Sequence, residues 1–102
     1  MKSMSESASF PLPPASFAFL VLSLRAQVEA HLGLLPLAKD EEPEVNLDLA
    51  RHGIDMLAVL LAKTKGNLEL EEHRMLENSL TELRFRFVQV SEEASRAGAQ
   101  TA

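Results

Sequence analysis

Residues 47–90 read LDLARHGIDMLAVLLAKTKGNLELEEHRMLENSLTELRFRFVQV. Two apolar periods lie on either side of one break. Before it, Leu47, Ala50, Ile54, Leu57, Leu61 and Thr64 are spaced 3-4-3-4-3. After it, Leu76, Leu80, Leu83, Phe87 and Val90 are spaced 4-3-4-3. Each series lies along one face of a helix. Asn46 is the expected N-cap of the first, with Asp48 in its positive first turn. Lys63 and Lys65 suit its negative end, and Gly66 is the expected stop. Glu69, Glu71 and Glu72 suit the start of the next helix, which Asn67 is expected to cap. The stretch predicts a helical hairpin turning at Gly66, with helices over about 47–65 and from after Asn67 to about Val90. Residues 83–90 are rich in strand formers and partly alternate, so a terminal strand is the competing reading. The helical spacing runs through them and favours helix, and Glu82 with Arg86 makes an i,i+4 pair. Gly53 costs about 1 kcal/mol against Ala inside a helix. A close approach by another helix would explain it.

Upstream, a third helix is expected over about 16–32, with Ser16 as N-cap. Phe17, Val21, Leu24, Val28 and His31 form one seam; Phe19, Leu22, Ala26 and Ala30 mark a second. Gly33 suits a left-handed position just past the helix end, and Pro36 prevents continuation. The linker from Pro36 to Val45 carries Asp40, Glu41, Glu42 and Glu44 and reads as a solvated acidic loop. It lacks the alternating ligands and central glycine of a calcium loop. Residues 1–14 read as a disordered tail, Ser- and Glu-rich and then interrupted by Pro11, Pro13 and Pro14. Residues 91–102 read as a flexible tail, being small and polar without an apolar period. The domain is expected at 15–90.

Composition narrows the function classes. The 102 residues contain no Cys, which excludes disulfides, zinc-thiolate sites and a cysteine nucleophile. Ten basic against fifteen acidic residues give a net charge of −5, the wrong sign for a general nucleic-acid binder. The apolar run at 17–22 is cut by Arg25, far short of the roughly 20 residues of a membrane span. It also lacks the flanks of a secretion signal, so the cytoplasm is the expected compartment. No strand-turn elbow presents a serine, and the abundant carboxylates look solvated. An enzyme is therefore not expected, nor a cofactor.

The apolar content exceeds what one small core requires. Thirteen of twenty residues at 16–35 are apolar, and eleven of eighteen at 47–64. A helix covered on one side needs only three or four in seven. The first two helices should therefore be covered on more than one side. Another copy of the chain is the simplest cover, so a homo-oligomer, most simply a dimer, is expected. Phe17, Phe19, Leu22, Met56 and Leu60 are the expected oligomer- or partner-binding residues. The expected role is a protein-interaction module or scaffold.

The segments at 19–24 (FLVLSL), 31–33 (HLG), 48–51 (DLAR), 54–57 (IDML) and 63–68 (KTKGNL), with Leu83-Arg84 and Phe87, resemble a small bacterial family, domain of unknown function 1844. The likeness runs over about Phe17 to Val90. It implies a small bacterial helical protein with no assigned activity. One departure is Glu69, where the family tends to carry a hydroxyl residue that would form a capping box with Glu72.

Three clusters invite chemistry. Asp48, Arg51, His52 and Asp55 share a helix face, which suits two surface pairs, Asp48 with His52 and Arg51 with Asp55, better than a metal. His31 and His52 fall at the same end of an up-down-up bundle, with His73 about 30 Å away. They are the weak candidates for metal, and the alternative role is a metal or small-ligand sensor. Lys63, Lys65 and Arg74 around Gly66 could attract phosphate, but the three glutamates at 69–72 repel it and no glycine-rich cradle precedes the helix.

Overall fold

The computed structural model describes residues 11–35 and 44–101, with side chains described through Gly98. Three helices follow in order: α1 (Phe17–His31), α2 (Leu47–Lys63) and α3 (Leu70–Thr101). The fold is all-α, with no strand among the described residues. The strand alternative at 83–90 is not taken, because Leu83, Phe87 and Val90 continue the seam begun by Leu76 and Leu80. Residues 1–10 of the expected N-terminal tail, and residues 36–43 of the acidic linker, lie outside the described residues.

The local signals place the helix ends. Ser16 Oγ accepts from the Phe19 N–H at 3.1 Å, and Asn46 Oδ1 from the Leu49 N–H at 3.0 Å. Past α1, the Leu34 N–H donates to the Glu29 carbonyl and the Gly33 N–H to the Ala30 carbonyl. Gly33 is left-handed at φ 75°, completing a Schellman end. Past α2, the Asn67 N–H donates to the Thr64 carbonyl at 2.9 Å, closing a turn whose third residue is Gly66 at φ 85°. Only glycine takes that conformation without strain.

Two ends differ from expectation. Asn67 belongs to that turn and does not cap α3. Glu69 precedes the first helical residue, and Glu72 Oε1 accepts from the Glu69 N–H at 2.9 Å. The reciprocal half of a capping box is thus present without the hydroxyl half. At the other end, α3 continues to Thr101 instead of stopping near Val90. Residues 92–98 are exposed, so burial does not hold them. Glu92, Glu93, Ala94, Arg96 and Ala97 are strong helix formers with no proline among them. Helix α3 is about 48 Å long at 1.5 Å per residue, roughly twice α1.

The core is a single cluster. Val21, Val28 and Leu32 meet Ala50, Ile54 and Leu57, and both sets meet Leu76, Leu80, Leu83 and Val90. Helix α1 packs on both arms of the α2–α3 hairpin. It meets α2 tightly at Gly53, where a Cβ would stand 2.5 Å from Val28 Cγ2.

Candidate interaction surface

One polar tie crosses the core edge. Ser79 is the only polar residue in the described core. Arg25 Nη1 donates to Ser79 Oγ at 3.4 Å, Arg25 Nε to Glu29 at 3.3 Å, and Arg25 Nη2 to Glu82 at 2.6 Å. Partial burial opposes the Arg25 charge, but the bonds to Glu82 and Glu29 outweigh it and hold the guanidinium above its ordinary range. Glu82 therefore serves α1–α3 docking and not the expected pair with Arg86. The signal for this tie was an arginine inside an apolar helix with a glutamate one turn on.

The expected surface pairs on α2 do not form. Arg51 lies over the Phe87 ring, 5.5 Å from its centroid, and not on Asp55. No Asp48–His52 ion pair occurs among the described residues. His73 pairs with Glu77 at 3.2 Å on the surface of α3. Lys63, Lys65 and Arg74 show no carboxylate partner among the described residues.

His31 and His52 do come together. They line one open groove between α1 and α2 with Leu24, Gln27, Val28, Leu49, Gly53 and Met56. No group of three His, Asp or Glu side chains able to hold a metal occurs among the described residues. Two imidazoles without a third protein ligand do not make a zinc site in one chain.

Around this groove the apolar surface is open. Leu20 lies one turn before Leu24 on the same side of α1, and Val59 lies three residues after Met56 on α2. Leu20, Leu49, Met56 and Val59 are 45%, 46%, 50% and 52% exposed. No Asp, Glu, Lys or Arg lines the groove. The expected binding residues divide. Met56 lies on this face. Phe17 and Leu60 are half-buried and pack against the core. Phe19 and Leu22 are exposed, but Leu22 sits one turn before Arg25, toward the α3 flank, and Phe19 one turn earlier. Leu20 and Leu49, outside the expected set, also lie on this face. Counting apolar residues shows excess but not its direction.

The chain matches the family described as Domain of unknown function (DUF1844) over residues 14–89. It belongs to that family. The matched span holds all of α1 and α2 and their shared groove, and ends before the last twelve residues of α3. No curated protein and no solved structure matches the chain. Among the described residues, no helix is long and apolar enough to cross a membrane.

Proposed function

We propose that this protein is a non-catalytic helical interaction module that associates with a second copy of itself through the α1–α2 face. The observation that carries it is the open apolar groove with no Asp, Glu, Lys or Arg in its lining. Among the described residues, twelve large apolar side chains are exposed, and Leu20, Leu49, Met56 and Val59 of these lie in or beside the groove. A two-fold interface sets a surface against itself, so a charged patch repels its own image and a neutral apolar one does not. The acidic groups of α2, Asp48 and Asp55, do not line the groove, and Glu29 is held by Arg25. A stable dimer buries about 800 Å² per partner, an area that two helical faces can supply.

Light scattering on a sizing column tests this. The expected mass is twice the 11.2 kDa of the chain. Met56→Glu, which places a charge at a half-exposed position, is expected to give monomers with unchanged helicity. A wild-type protein that stays monomeric up to high micromolar concentration rejects the reading.

A further inference from the structure

Resting on that self-association, we infer that the α1–α2 interface is opened by protons, with His31 and His52 as the groups that take them up. Both imidazoles line the groove, one from each helix, and the lining contains no other titratable side chain. From α1 the remaining polar neighbour is Gln27; α3 contributes nothing to the lining. Asp48 and Asp55 stand one turn to either side of His52 along α2, outside the lining, and Arg51 is turned to Phe87. On α1, Glu29 is bound to Arg25. Glu44 precedes α2 and is exposed, while Asp40, Glu41 and Glu42 lie outside the described residues. In the separated protomer, water solvates a charge on either ring. In a closed apolar interface nothing replaces that water, and burial disfavours the charged form.

The sign follows from proton counting. Separated protomers bind more protons than the pair, so association weakens as pH falls. Overall charge acts in the opposite direction. The chain carries −5 at pH 7 with an isoelectric point near 5.1, so mutual repulsion fades on acidification and favours association. The two effects are distinguished by direction alone.

Sedimentation equilibrium at about pH 8 and about pH 6, at one ionic strength and with helicity checked by circular dichroism, decides between them. Linkage weakens association about tenfold per pH unit for each proton taken up on separation. The expected wild-type result is a Kd at least tenfold weaker at the lower pH. His31→Gln combined with His52→Gln is expected to hold its Kd within about twofold or to tighten. A wild-type Kd that is unchanged or tighter at about pH 6 overturns the inference and leaves the dimer standing. Equal weakening in the double variant also overturns it. If the double variant does not associate at about pH 8, the sign of the wild-type change decides. A wild-type monomer at about pH 8 removes the self-association itself, and the proton gate with it.

Discussion

Gly53 is the residue at which helix propensity and packing pull in opposite directions. In an exposed helix interior, Gly→Ala gains about 1 kcal/mol. Here the added methyl would stand 2.5 Å from Val28 Cγ2, on a side chain with no exposure and a branched, stiff Cβ. Gly53→Ala is therefore expected to lower unfolding free energy in urea by about 1–3 kcal/mol. Adding Val28→Ala should recover part of that loss in a double-mutant cycle, since the two side chains share one space. A stabilised Gly53→Ala would mean that α1 and α2 do not approach this closely. The glycine was legible as a contact point because a costly residue inside a helix asks for a reason. Which residue faced it was not legible, since that depends on how two helices are placed in space. The same limit applies to Arg25 and Glu82, which are 57 positions apart in the chain. Periodicity describes pairs three or four residues apart and contains nothing about a pair like this one.

At the level of elements, both N-caps of α1 and α2 follow from residue type, while α3 starts on a cap that is only half built. Glu72 already accepts from the Glu69 N–H. A short hydroxyl at position 69 would accept in return from the Glu72 N–H, which a longer Glu side chain does less well. Glu69→Ser is expected to stabilise the protein by about 0.5–1 kcal/mol, and Glu72→Ala to destabilise it by a similar amount. Chemical unfolding of the two single variants measures both. An unchanged midpoint for Glu69→Ser would show that the helix start is already satisfied by water. The far end of α3 was misread for an identifiable reason. An apolar period reports burial, and its end at Val90 marks where packing stops. Helix continues past that point on propensity alone, through glutamates and alanines that have no core to face.

For the molecule as a whole, association and stability should be linked. A dimer that forms only from folded chains gains stability with concentration. The thermal midpoint is expected to rise by several degrees between low and high micromolar protein in the wild type, and to stay constant in Met56→Glu. Calorimetry or circular dichroism melts at a series of concentrations check this, and parallel shifts in both proteins would argue against the α1–α2 face as the contact. Helix positions, the Gly33 and Gly66 ends and the core seams could be read from the chain because they are set by neighbours within a turn or two, where backbone geometry fixes who meets whom. The apolar surplus could be counted in the same way. Its location required the packed helices. Only their crossing decides that Phe17 and Leu60 rest on the core, that Leu20, Leu49 and Met56 stay outside it, and that two histidines 21 residues apart share one groove. Side chains distant in sequence are brought together by helix placement, which no local pattern encodes.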